Sequence, residues 1–320
     1  MSSLIPPVPG RRSPVLWGMA LAVLTLGACG GDEAEGPGAP GAEAVSGPAL
    51  REVPGDFSTI QAALDASADG DTVLVAPGVW RESLSLPAAA VTLASYVVRS
   101  GDSTVVAETV IDGGGRDWVV RADSAAGHSR ILGMTLRNAD DCVLAHARLD
   151  FVGGIVTDCL DGIAYRAGSG GRLAHSRVFE NRDDGVDLQG DLVVLMEHNL
   201  IRGNGEDGVE MHFQPYLGAL VRTIIRGNTI RGNGQDGIQF IAYAEPSSRE
   251  VLVEGNDITE NGMAGIGCMD GGATAEDYRS AVIEETIVFV RNRMEANGRG
   301  LSCGYLTTQR VTPGSADTET

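Results

Sequence analysis

The sequence predicts an all-β fold: a right-handed, single-stranded parallel β-helix, a solenoid closed at its N-terminal end by a short capping helix. Three observations carry this expectation. A Gly followed by an aliphatic residue recurs between residues 162 and 301, and two columns of Asn recur at fixed offsets upstream of it. The composition is rich in turn-forming Gly, at 44 residues, and poor in aromatic rings, at 5% of 320 residues. Repeats of this length are single coils that cannot bury an apolar face alone and must stack on their neighbours.

The rows are Asp161-Gly162-Ile163, Asp184-Gly185-Val186, Asp207-Gly208-Val209, Asp236-Gly237-Ile238, Ala264-Gly265-Ile266 and Arg299-Gly300-Leu301, with Cys142-Val143 in the same slot one coil earlier. The Gly-to-Gly steps are 23, 23, 29, 28 and 35 residues. Asn138, Asn181, Asn204, Asn233 and Asn261 stand four residues before the slot, and Asn297 three before. Five residues further upstream come Gly133, Ser176, Asn199, Asn228, Asn256 and Asn292. Between the columns sits an aliphatic at a fixed offset: Val178, Ile201, Ile230, Ile258 and Met294. The runs between turn signals are too brief for helices and alternate with period two. About 22 residues per coil allow three short strands and three bends. Asn at equivalent bends can hydrogen-bond along the stack, so both columns read as structural.

The front end fits the same architecture. Ser58-Thr59-Ile60-Gln61 reads as a capping box opening a short helix, with Ile60, Ala63 and Leu64 on one face. Such a helix would cover the open end of the stack. Val91 to Tyr96, Thr109 to Ile111 and Trp118 to Val120 read as strands of the early coils. The helix, the following strand and the turn Pro77-Gly78-Val79-Trp80 resemble the start of pectinesterase-like β-helices. The rows as a whole resemble the parallel β-helix repeats of pectate-lyase-like proteins and of periplasmic β-helix accessory proteins. That resemblance implies polysaccharide as the ligand class and, for an enzyme, a polysaccharide lyase or glycoside hydrolase. The Asn-Thr-Asp and Gly-His-Gly of polygalacturonases and the Asp-Pro-His-Asp of mannuronan epimerases are absent; Asp-Asp, at 140–141 and 183–184, is common in turns.

Residues 1–28 read as a lipoprotein signal peptide. Arg11 and Arg12 precede the apolar run Val15 to Leu26, which is short for a membrane span. Leu26-Gly27-Ala28-Cys29 resembles the lipobox of bacterial lipoproteins, which implies lipidation of Cys29 and anchoring in the cell envelope. Residues 29–51 are mostly Gly, Ala, Pro and Glu and read as a flexible tether. The β-helix is expected over 52–305 and an unstructured tail over 306–320. The formal net charge is −19, and all 24 basic residues are Arg. Such acidity argues against nucleic acid as a partner and suits a soluble exported monomer.

Four Cys remain after Cys29. Cys268 and Cys303 each lie three residues after the repeat Gly. Equivalent positions on adjacent coils are about 4.8 Å apart, within disulfide range. A bridge or an inert stacked pair fits equally. Cys142 and Cys159 lie near one bend of consecutive coils.

Chemistry is expected on the outward side of the strand after each Gly. Ile163/Tyr165, Val186/Leu188, Val209/Met211, Ile238/Phe240, Ile266/Cys268 and Leu301/Cys303 should point inward. Asp187, Glu210 and Gln239 should then share an exposed strip with Arg166, Gln189 and His212. Asp187, Glu210 and His212 are the catalytic candidates, since carboxylates on adjacent rungs suit glycoside hydrolysis and a His suits proton abstraction. Gln189 and Gln239 are substrate-binding candidates. So are Tyr216 and Tyr243, carried with Tyr278 in the longer repeats at about 213–222, 242–250 and 269–285, which would wall the strip. Asp184, Asp207 and Asp236 flank it at the preceding bend. They either make Asp-Gly turns or bind Ca²⁺, the one cofactor these side chains fit. The reading is therefore an extracytoplasmic, lipid-anchored β-helix that binds polysaccharide along this strip, with cleavage as a lyase or hydrolase left open. A non-enzymatic envelope scaffold or adhesin is the alternative.

Overall fold

The computed structural model describes residues 47–306, apart from 217, 219–221, 242–248, 270–281, 284–285 and 303–304. All of them belong to the unit Ser46–Thr320. Cys29, Tyr243, Tyr278 and Cys303, the signal peptide and the tail after Leu306 lie outside the described residues.

Parallel strands stack in register from coil to coil. One ladder has ten strands, from Leu50–Val53 through Gly170–Ala174, Val193–Glu197, Arg222–Arg226 and Glu250–Glu254 to Thr286–Val290. The second runs through Ile155–Thr157, Arg177–Phe179, Leu200–Arg202, Thr229–Arg231 and Asp257–Thr259 to Arg293–Glu295. The third holds Asp161–Tyr165, Val186–Gln189, Val209–His212, Ile238–Ile241, Ala264–Met269 and Arg299–Ser302. Two long strands, Thr109–Ala122 and Thr135–Ala145, turn a corner without a break and join the second ladder to the third. The first of these merges two strands that the sequence presents as separate. Two short helices, Val97–Ser100 and Thr104–Glu108, were not expected.

The expected inward column is the core. Ile163, Tyr165, Val186, Leu188, Val209, Met211, Ile238, Phe240, Ile266 and Cys268 are all fully buried. Val178, Ile201, Ile230, Ile258 and Met294 are register partners along the second ladder. The repeated Gly is required by close approach. A Cβ on Gly208 would lie 2.6 Å from the Gly237 carbonyl oxygen and 2.8 Å from Asn233 Nδ2.

Both Asn columns form ladders. In one, the backbone N–H and Nδ2 of Asn181, Asn204, Asn233 and Asn261 all donate to Oδ1 of the Asn on the next coil, ending at Asn297, at 2.8–3.2 Å. In the other, Asn199, Asn228 and Asn256 do the same, ending at Asn292, at 2.9–3.0 Å. Ser176 joins through its backbone N–H, which donates to Asn199 Oδ1.

Asn138 and Gly133 do not belong to these ladders. They occupy the slot one residue earlier, where the chain takes a left-handed conformation. At one corner this slot holds Gly133, Gly153, His175, His198, Gly227, Gly255 and Arg291, with φ of 52–67°. At the other it holds Asn138, Asp158, Glu180, Gly203, Gly232, Glu260 and Ala296, with φ of 56–64°. Asn tolerates left-handed backbone as readily as it builds a ladder, so residue type alone places it in either slot.

The disulfide Cys142–Cys159 follows from the same geometry. Val143 pairs with Ile163, which puts Cys142 in the Gly slot. Thr157 pairs with Phe179, which puts Cys159 in the Asn slot. In later coils the Gly of one coil abuts the ladder Asn of the next. Here two Cys meet instead, with Cα atoms 5.7 Å apart, and form a bond. The backbone N–H of Cys159 donates to Asn181 Oδ1, so the ladder begins where the disulfide ends. Cys268 is also disulfide-bonded; its expected partner Cys303 lies outside the described residues.

The N-terminal helix spans Ile60–Asp65 and buries Ile60, Ala63 and Leu64. Thr59, not Ser58, is its N-cap, and its hydroxyl accepts from the Ala62 N–H. The capping box is not completed by Gln61. Instead the Ile60 and Gln61 amides donate to the Glu82 carboxylate at 2.9 and 3.0 Å.

Truncation of a ladder Asn should leave buried amides without acceptors. We expect Asn233→Ala to lower unfolding stability by about 1–3 kcal/mol for the Asn204 N–H it orphans. Urea denaturation of the full chain checks this; an unchanged midpoint would show that the ladder contributes nothing.

Candidate functional site

The outer face of the third ladder carries the expected strip. Asp187 pairs with Glu210, and Glu210 with Gln239. Gln189 pairs with His212. Alternation within each strand turns these side chains away from the core, as their buried neighbours Leu188 and Met211 show.

Glu210 and His212, two residues apart on one strand and one face, join through Oε2 and Nε2 at 2.8 Å. This hydrogen bond raises the pKa of His212, outweighing its partial burial. Asp187 is only 4% exposed. Its Oδ2 accepts from the Arg166 guanidinium and, at 3.1 Å, from Gln189 Nε2. Its Oδ1 is buried and has no hydrogen-bond partner. Burial raises the Asp187 pKa, and Arg166 opposes the rise. A buried carboxylate oxygen without a partner is costly and calls for an explanation.

Two carboxyls that the sequence did not single out join this group. Asp141 and Asp161 are register partners one coil apart. Arg166 reaches Asp141 Oδ1 at 3.6 Å as well as Asp187. Burial pushes Asp161 up to about 7, helped by the charges of Asp187 and Asp141. Burial pushes Asp141 up to about 6 against the pull of Arg166. The available signal was register: Asp161 opens the first Asp-Gly row, and Asp141 immediately precedes Cys142 in the equivalent slot. Gln239 keeps its place in the column but is buried. Tyr216 is 38% exposed, and Tyr243 lies outside the described residues.

The bend aspartates do not fit a metal site. Oδ1 of Asp184 accepts from the Asp207 N–H at 2.8 Å, Oδ1 of Asp207 from the Asp236 N–H at 2.6 Å, and Oδ1 of Asp236 from the Ala264 N–H at 2.6 Å. They form a third side-chain ladder along the stack. Burial, with the charges of Glu210 and Asp207, pushes Asp184 up to about 10. Burial and Asp236 push Asp207 up to about 9. Among the described residues no three His, Cys, Asp or Glu converge to hold a metal ion.

The raised carboxyls make stability depend on pH. Asp161 moves from 3.8 unfolded to about 7 folded. A carboxyl that binds its proton more tightly when folded gives stability that is fully present below about pH 4 and is lost as pH rises through the folded value. Asn at 161 keeps the acceptor for the Asp184 amide but carries no charge. Asp161→Asn should therefore match the parent melting temperature near pH 4 and exceed it at pH 8. Parallel melting curves across this range would contradict the assignment.

A family model for the right handed beta helix region matches residues 133–248 and, in a second match, 162–312. No curated protein matches the sequence. Among solved structures, pectate lyase Pel9A is similar with a TM-score of 0.61 and 12% identity, over 86% of this chain and 82% of that one. The pectin methylesterase from Aspergillus niger has a TM-score of 0.51 and 12% identity, over 88% and 89%. The periplasmic alginate epimerase AlgG has a TM-score of 0.50 and 14% identity, over 76% of this chain and 59% of that one. At such identities the likeness is one of fold. With stacked parallel ladders in register and family matches that together span more than half of its length, the chain belongs to the right-handed β-helix family.

Proposed function

We propose that this protein binds an extended polysaccharide along the outer face of the third ladder and hydrolyses it by acid–base chemistry. The observation that carries this reading is a pair of carboxyls in unlike surroundings on adjacent rungs. Glu210 is hydrogen-bonded to His212, and Asp187 is held by Arg166 beside Asp141 and Asp161. Glycoside hydrolysis needs one carboxyl that keeps its proton and one that stays ionised. Asp187, raised by burial and one rung from Glu210, is assigned the first role. Glu210, held by its hydrogen bond to His212, is assigned the second role. Hydrolysis fits better than elimination, which needs a cation free to neutralise a uronate carboxylate. Here Arg166 is already shared between Asp187 and Asp141. The named activities of the similar structures, a pectate lyase, a pectin methylesterase and an alginate epimerase, support polysaccharide as the ligand class.

In this reading the body is tethered to a membrane by a lipid on Cys29 and faces away from the cytoplasm. The support is the order of Arg11-Arg12, the apolar run and Leu26-Gly27-Ala28-Cys29, together with the Cys142–Cys159 disulfide, which belongs in an oxidising compartment. No helix among the described residues is long and apolar enough to cross a membrane.

Reducing-end release from a panel of neutral and acidic polysaccharides tests the activity. Glu210→Gln should lower turnover by about 10²-fold or more while leaving binding intact. Full turnover in this variant would remove the site, and binding without turnover by the parent would favour a scaffold or adhesin. Cys29→Ala should move the protein from the membrane fraction to the soluble fraction; continued sedimentation with membranes would refute the anchor.

A further inference from the structure

Beyond the strip's far end, a buried ion pair holds an aromatic ring in place. Arg249 and Asp191 lie 58 residues apart in sequence, yet Arg249 Nε donates to Asp191 Oδ1 at 3.1 Å and the Arg249–Asp191 bridge measures 3.0 Å. Their side chains are 1% and 2% exposed. The Arg249 guanidinium packs over two rings, 5.4 Å from the Phe213 centroid and 4.9 Å from that of Tyr216. Phe213 is buried and stacks on Phe240 at 5.9 Å with an interplanar angle of 9°. Tyr216 stays 38% exposed.

The chain between the rings is pinned to the previous coil. The Gly190 N–H donates to the His212 carbonyl at 2.8 Å. A Cβ on Gly190 would lie 2.7 Å from the Pro215 carbonyl oxygen, so residues 213–216 fold directly over it. Gly190 follows Gln189, whose amide bonds Asp187, and Phe213 follows His212. Tyr216 is thus fixed beside the strip from below by Gly190 and from the side by Arg249.

Two charges have been taken out of water to achieve this, although apolar residues of similar volume often serve stability as well or better. The bridge keeps an exposed ring from rotating away, which lowers the ordering cost of anything that stacks on it. We propose that Tyr216 is a stacking platform for a neutral pyranose ring and that Arg249, held by Asp191, is its positioning residue. This deepens the polysaccharide reading and rests on it. The neutral class follows from charge. On the neighbouring strip the cations Arg166 and His212 already bond carboxylates. Among the described residues of the strip, a uronate carboxylate would find no cation that does not already bond a carboxylate.

The test measures binding of the full chain to neutral hexasaccharides (gluco-, manno-, galacto- and xylo-) and to uronate hexasaccharides. The parent should bind at least one neutral member and prefer it to every uronate. Tyr216→Ala should weaken that binding about five- to tenfold, and Tyr216→Phe should retain it. The double replacement Asp191→Leu/Arg249→Met keeps an apolar interior and should weaken binding to a similar extent. Combined with Tyr216→Ala it should add nothing further, because Arg249 acts through the ring. A merely structural Arg249 would lower the melting temperature and give additive losses, which would overturn its positioning role. Parent affinity in Tyr216→Ala overturns the platform and leaves the strip standing, even if the double replacement fails to fold. A preference for uronates overturns the neutral class. No binding by the parent to any member overturns both this proposal and the reading on which it rests.

Discussion

At two corners of every central coil, one residue in left-handed conformation turns the chain so that the next side chain enters the dry interior. That single constraint organises the molecule. Each left-handed L-residue costs roughly 1–2 kcal/mol unless its surroundings hold it. All eight non-glycine residues with positive φ among the described residues fall in these two columns. What holds them is the side chain that follows. A buried Asn needs partners, and the nearest is the same Asn one rung away. A shift of one residue would bury a charge or a Gly where the amide belongs. Register is therefore specified by hydrogen bonding inside the stack as well as by alternation of apolar and polar residues.

The candidate site inherits its geometry from that register. Asp187 and Glu210 are 23 residues apart in sequence, yet their rungs pair directly. Glu210 and His212 meet because a strand repeats its face every second residue. Nothing in the site depends on a long loop for these contacts, which suits groups that must be held within fractions of an ångström. The bend aspartates show the same economy. The side chains that look most like a metal cluster in the sequence are one more ladder, each bonding the backbone of the coil beyond.

Much of this was legible from residue spacing. The Gly-aliphatic rows gave the inward column, and alternation then gave the strip. The sequence was least informative where coils depart from the pattern. Asn138 and Gly133 sit one slot before the ladder columns, and the early coils lack the second Asn that would fix the count. Spacing alone leaves Cys142 and Cys159 loosely associated, since the bond arises where the Gly slot of one coil touches the Asn slot of the next. Asp141 and Asp161 stand in the sequence as turn residues, and the reach of Arg166 to Asp141 depends on how a side chain one residue past its strand turns back. Arg249 had no signal at all. It lies in a repeat of irregular length, and a lone buried Arg leaves no period to detect.

The Asp191–Arg249 bridge also bears on how such a stack comes apart. A solenoid in which each coil touches only its neighbours frays from its ends one coil at a time. This pair ties a bend near residue 191 to one near 249, so the coils between them cannot peel away singly. Stripping any one of them must first expose two opposite charges from the interior, and the segment behaves as one cooperative block. The strand that carries Glu210 and His212 lies within that block.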